Sequence, residues 1–195
     1  MIALLDCGSH KTPAIAAQLD EYIDLQTIGL HDFKAAQLDH FSGVVISGAP
    51  ILLTDIHPTP YLTHLSWIKS YTKPLLGICF GHQILGLLNG ARVSRMREDR
   101  GMQEIEVLKD DILFERLPDI FEMQEDHCEH ISVPYGFELL ACSDACINEA
   151  MKHKLLPQYG VQFHPEVSGN YGHVLLSNFA NLVIGSSTSG LHLNY

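Results

Sequence analysis

The sequence predicts an α/β fold, a mostly parallel sheet flanked by helices with a mixed or antiparallel extension. Three observations carry that expectation. Short β-branched or leucine-rich runs alternate with amphipathic segments through the first half of the chain. From Arg92 to Val161 the alternation gives way to shorter extended pieces. At 195 residues, with 46% hydrophobic and 18% charged residues, the chain has the size and make-up of one globular domain with a substantial core.

Ile2–Leu5 is an apolar run that reads as a buried strand, Pro13–Tyr22 has helical spacing, and Ile23–Ile28 is extended. Gly43–Ser47 is a β-branched run that stops at a Gly48-Ala49-Pro50 turn. Tyr61–Tyr71 has helical spacing, Leu75–Ile78 is a short apolar run, and Gly81–Asn89 reads as a helix closed by Gly90. Gln103–Leu108, Phe137–Cys142, Ile147–His153 and Tyr159–Phe163 are the extended pieces of the second half. A last helix is expected from about Tyr171 to Ile184, burying Leu175, Leu176, Phe179, Leu182 and Val183. Residues 1–184 thus form the domain, and the small, polar residues 185–195 a flexible tail.

Composition narrows the function. Lysine and arginine number 12 against 23 acidic residues, a net charge of −11 (12 − 23) with no basic run. A nucleic-acid groove or an anionic membrane surface is therefore disfavoured as a partner. The longest apolar stretch, Leu75–Leu88, is broken by Gly77, Gly81, His82, Gln83 and Gly86, which argues against a membrane span. The N-terminus lacks the basic region of a signal peptide. Five cysteines form no paired framework, which fits a reducing cytoplasm and leaves a functional thiol free.

Three segments could build one site. In Gly77-Ile78-Cys79-Phe80-Gly81, glycines stand two residues either side of a cysteine where a strand meets a helix. That pattern permits a nucleophile elbow, and the helix N-terminus favours the thiolate. Gln83, one turn on, can set its amide beside the sulfur. In Gly160-Val161-Gln162-Phe163-His164-Pro165-Glu166, His164 and Glu166 can point the same way, the carboxylate fixing the imidazole tautomer. Together these residues read as a Cys79-His164-Glu166 triad. In the third, Ser47-Gly48-Ala49-Pro50, a backbone N–H can face an oxyanion together with that of Phe80. His127 and His130, with Glu125 and Cys128 beside them, have half the spacing of a zinc site. No second ligand pair follows, so this stretch reads as a polar loop over the site with no metal.

The three segments together resemble the class I glutamine amidotransferases. Leu76-Gly77-Ile78-Cys79-Phe80-Gly81-His82-Gln83 is similar to that family's nucleophile motif. Gly160 to Glu166 is similar to its His/Glu motif, with His164 falling 85 residues after Cys79 (164 − 79). The resemblance covers Ile2 to about Val183 and implies a flavodoxin-like fold. Phe137–Asp144, Glu149–Lys154 and Pro157–Val167 look most like the glutaminase subunit of two-subunit GMP synthases. No Ser-Gly-Gly-x-Asp-Ser loop of an ATP-pyrophosphatase is present. The resemblance therefore implies that ammonia goes to a separate ATP-pyrophosphatase partner, the synthase that acts on XMP. It implies L-glutamine as substrate, Cys79 as nucleophile, Ala49 and Phe80 as oxyanion donors, Gln83, Gly101 and His127 as substrate-binding residues, and no metal or organic cofactor. Some positions depart from the family. Ala49 stands for a usual glycine, Arg100-Gly101 for Tyr-Gly or Phe-Gly, and Ser168-Gly169 for His-Thr. A γ-glutamyl hydrolase, an amidotransferase for another synthase and a non-catalytic regulatory protein of the same fold are the alternative readings.

Overall fold

A computed structural model describes residues 1–189, with the backbone alone for the last two of these. Strands β1 (Ile2–Asp6), β2 (Leu25–Gly29), β3 (Gly43–Ile46), β4 (Leu75–Ile78) and β9 (Gln158–Val161) run parallel in the order β2-β1-β3-β4-β9. The sheet continues through β8 (Ala150–His153), β7 (Phe137–Cys142), β5 (Val93–Val107) and β6 (Ile120–Ile131), all antiparallel to their neighbours. The parallel half with its antiparallel extension agrees with the expected fold class.

Period-two alternation divides the core between the two faces of the sheet. Ile2, Leu4, Val45, Leu76 and Ile78 pack on one face against Ile15 and Leu19 of α1 (Thr12–Leu19) and against Leu175, Leu176, Phe179 and Val183 of α4 (Gly169–Ser189). Ala3, Leu5, Val44 and Ile46 face the other way, onto Ile84, Leu85 and Leu88 of α3 (Phe80–Leu88) and onto Leu65 and Ile68. Among the described residues no helix is long and apolar enough to cross a membrane.

Several boundaries differ from expectation for identifiable reasons. Tyr61–Tyr71 is not one helix but α2 (Thr59–His64) followed by a 3₁₀ turn over Ser66–Ser70. Its buried residues Leu65, Ile68 and Tyr71 recur every three positions, the 3₁₀ repeat. The long hairpin of β5 and β6 extends one expected strand and corrects one expected loop. Arg100–Gly101 lies inside β5, and Glu125–His130 is strand β6, not a polar loop. The inward positions of β6 are Phe121, Met123, Glu125, His127, Glu129 and Ile131, so polar residues sit where the hydrophobic alternation should show. Helix α4 reaches Ser189, five residues beyond Ile184, while positions 190–195 of the expected tail lie outside the described residues.

Candidate active site

Because β1, β3, β4 and β9 are parallel, their carboxyl ends meet at one edge of the sheet. The loops that leave there carry Cys7–Lys11, Ser47–Leu52, Cys79 and Gln162–Ser168. They surround a cleft of about 490 Å³ lined by Ala49, Cys79, Phe80, Gln83, His127 and His164 among others. That volume suits a small-molecule ligand.

Cys79 sits between β4 and α3 with φ 50 and ψ −101, one of only two described non-glycine residues with positive φ. Such backbone strain, of order 1–3 kcal/mol, persists where the surroundings fix it. A Cβ on Gly77 would lie 2.5 Å from the Gly81 carbonyl group and one on Gly81 would run into the Ile46 carbonyl, so both elbow positions are closed to larger residues. The Cys79 N–H donates to Val161 O at 2.8 Å, tying the elbow to β9. The residue is 8% exposed, at the floor of the cleft.

His164 Nδ1 pairs with Glu166 Oε1 at 2.8 Å, and both side chains are buried. Pro165 opens the 3₁₀ turn that carries Glu166. Two bonds hold the histidine backbone, His164 N donating to Gln124 O at 2.9 Å and Ser168 Oγ to His164 O at 2.6 Å, and Gln124 N braces the serine by donating to its Oγ at 2.9 Å. Nε2 has no hydrogen-bond partner. Burial would lower the imidazole, yet Cys79 and Glu166 beside it raise it from 6.5 to about 9.

Ser47 Oγ accepts from Cys7 N at 2.9 Å and donates to Gly48 O at 2.9 Å, fixing the turn after β3. Gly48 packs on the pair, since a Cβ there would come 3.3 Å from His164 Cε1 and 3.7 Å from Cys79 Cβ. Ala49 lines the cleft without positive φ, so its methyl group imposes no left-handed strain. Burial pushes the thiol of Cys7, nearby on the first loop, up to about 12, which disfavours it as a rival nucleophile.

The other expected residues fare differently. Gln83 lines the cleft, but its Nε2 donates to Gln162 Oε1 at 3.1 Å and to Glu129 O at 3.3 Å. The amide against the sulfur is that of Gln162, with Nε2 3.6 Å from Cys79 Sγ. Sequence reasoning passed over Gln162, although its two-residue spacing from His164 was the signal. His127 does border the cleft, its Nδ1 donating to Glu129 O at 2.9 Å. Gly101 does not border the cleft. It has φ +98 and no side chain to reach inward, and Arg100 beside it lines the rim instead. Lys11, also missed, meets Asp126 at 2.7 Å, and Arg100 Nε lies 3.3 Å from the same carboxylate. Lys11, then burial and Arg100, set the Asp126 carboxyl, which ends below its usual range.

A family model described as glutamine amidotransferase class-I matches residues 3–182. The glutamine-hydrolysing GMP synthase subunit of Pyrococcus abyssi is 36% identical over 191 residues, covering 93% of this chain and 98% of that protein. The protein of the same name from Methanocaldococcus jannaschii is also 36% identical over 191 residues, covering 93% and 97%. The crystal structure of a Thermoplasma acidophilum protein described as a GMP synthase subunit superposes with a TM-score of 0.90 at 28% identity, covering 98% of this chain and 97% of that one. A glutamine amidotransferase from Thermotoga maritima shares the fold, with a TM-score of 0.73 at 19% identity over 97% of this chain and 95% of that one. With the family pattern running almost end to end and the elbow cysteine set against a carboxylate-held histidine, the chain belongs to the class I glutamine amidotransferases.

Proposed function

We propose that Cys79, His164 and Glu166 hydrolyse L-glutamine to glutamate and ammonia, and that a separate ATP-dependent synthase subunit uses the ammonia to convert XMP to GMP. One observation carries the hydrolytic reading. His164 is gripped through Nδ1 by Glu166, its Nε2 is unpartnered, and Cys79 stands beside it on a strained elbow at the floor of the cleft. The names of the relatives support the acceptor, since proteins called glutamine-hydrolysing GMP synthase subunits match along 93% of the chain.

The thiol proton passes to His164 Nε2, and the sulfur attacks the side-chain amide carbon of glutamine. The backbone N–H groups of Ala49 and Phe80 receive the developing oxyanion. His164 returns the proton to the leaving nitrogen, so the C–N bond breaks, ammonia departs and a γ-glutamyl thioester forms on Cys79. Water, deprotonated by the same imidazole, attacks the thioester. Glutamate leaves and the thiol regains its proton. Glu166 keeps the imidazole in one tautomer throughout. Glutamine carries an α-ammonium and an α-carboxylate, and the rim offers charges of both signs in Asp126, Lys11 and Arg100. Gln83 and His127 complete the walls.

A diazoketone analogue of glutamine tests the assignment. Mass spectrometry should map the label to Cys79, and Cys79→Ser should lose glutamate release while keeping its circular dichroism spectrum. Labelling at Cys7 or Cys128, or wild-type turnover by the serine variant, would sink the triad.

A further inference from the structure

Beside the cleft, under the β5–β6 hairpin, three parts of the chain bring acidic and imidazole groups together away from water. Asp99 comes from β5, Glu125 and His127 from β6, and Glu149 from the segment just before β8. They are 5%, 0%, 8% and 0% exposed, respectively. One donor atom each from Asp99, His127 and Glu149 lie within 4.8 Å of one another. Glu125 Oε2 is 3.0 Å from His127 Nε2, but not in hydrogen-bonding geometry.

The outer atoms of this cluster are satisfied and the inner ones are not. Gln103 Nε2 donates to Asp99 Oδ1 at 2.9 Å, Ser143 Oγ to Glu149 Oε1 at 2.7 Å, and His127 Nδ1 to the Glu129 carbonyl at 2.9 Å. Asp99 Oδ2, Glu149 Oε2, both Glu125 oxygens and His127 Nε2 have no hydrogen-bond partner. A neutral His127 that donates through Nδ1 holds a lone pair on Nε2, turned toward carboxylate oxygens. Lone pairs facing one another in a buried space repel unless a proton or a cation lies between them. Outer hydrogen bonds that orient a histidine and its carboxylate neighbours are also what supports metal ligands.

We propose that Asp99, His127 and Glu149, flanked by Glu125 beside His127, form a buried site for a first-row divalent transition-metal ion such as Zn²⁺. One imidazole nitrogen with several carboxylate oxygens suits Zn²⁺, Mn²⁺ or Fe²⁺ better than the all-oxygen shells of Mg²⁺ or Ca²⁺. Tetrahedral ligands at about 2.0–2.2 Å from an ion stand roughly 3.4 Å apart, so donor atoms within 4.8 Å of one another would have to draw together on binding. On its outer side, Asp99 with Gln103 borders a surface cavity of about 500 Å³. The ion would clamp β5 and β6 to the segment before β8. Since His127 borders the cleft, the clamp would also fix one wall of the site. The lone His127/His130 spacing could not show this, because Asp99 and Glu149 lie 28 residues before (127 − 99) and 22 residues after (149 − 127) His127.

The full-length chain, stripped with a chelator, would be titrated with Zn²⁺ and with Mn²⁺ by calorimetry and thermal melting. The expected result is one ion per chain, with a melting temperature raised by roughly 5–10 °C at about a hundredfold excess over Kd. Asp99→Asn and Glu149→Gln, which keep side-chain shape, should each weaken binding at least about 100-fold while their circular dichroism stays unchanged. If a variant fails to fold, X-ray absorption at the zinc edge of the loaded wild type reads the ligands directly, and one imidazole with carboxylates is expected. The proposal is overturned if neither ion binds stoichiometrically, if both variants bind as wild type does, or if the absorption spectrum shows no imidazole. A stripped wild type that binds nothing, with Glu149→Gln more stable than it, would show carboxylates sharing protons and would overturn it too.

Discussion

Burial alone would strip the proton from His164, yet Cys79 and Glu166 hold its ring up at about 9. Two consequences follow for single residues. Replacing Cys79 with alanine removes the largest upward influence, so the His164 titration followed by NMR should move down from about 9. The sign for stability is set by the same shift. A ring whose folded value lies above its unfolded 6.5 stabilises fully below that pH, and the gain is lost as pH rises through about 9. Urea unfolding at both ends of that window should show a smaller loss in Cys79→Ala than in wild type. Glu166→Gln keeps a group beside Nδ1 but removes the negative charge that favours the imidazolium. We expect kcat to fall roughly 10²–10⁴-fold with KM little changed, read from initial rates. An unaltered kcat would mean that Glu166 is structural only.

The strand–elbow–helix unit of β4 and α3 depends on glycines for two separable reasons. Gly77→Ala would push a methyl group to 2.5 Å from backbone atoms of Gly81, which cannot rotate away. Its expected cost is about 2–3 kcal/mol in urea unfolding. Gly90, past the end of α3, has φ +87 and open space around it, so Gly90→Ala should cost only about 1 kcal/mol, through conformation alone. Equal losses would show that steric crowding does not shape the elbow. The β5–β6 hairpin illustrates the opposite problem at this scale. Its strands were hard to find because Glu125, His127 and Glu129 occupy inward positions of β6. Glu129 tolerates burial by accepting from the N–H groups of Leu53 and Thr54, each at 2.8 Å. A buried polar strand carries no hydrophobic period, and its partners lie 75 and 76 residues away.

For the whole molecule, the expectation is that glutamate release by the purified chain is slow and rises when the synthase partner, ATP and XMP are added. Ala49, the proposed donor, belongs to a loop, and the Lys11–Asp126–Arg100 bridge spans the rim through a half-buried lysine and two exposed side chains. Docking can order both, and one oxyanion donor alone is worth roughly 10²–10³ in rate. A full rate without the partner would remove the gating and favour a free-standing hydrolase. The parallel half of the fold, the elbow and the His164–Glu166 pair were legible in the sequence alone. Each depends on residues adjacent along the chain: apolar runs of strand length, glycines two positions either side of Cys79, a proline after His164. Gln162 against the sulfur, Ser168 clamping His164, Lys11 and Arg100 on the rim, and the union of Asp99, His127 and Glu149 were decided only in three dimensions. Apart from the short Ser168–His164 bond, those contacts join segments far apart in sequence, and sheet order and register, which set them, are determined by the packing of both core faces at once.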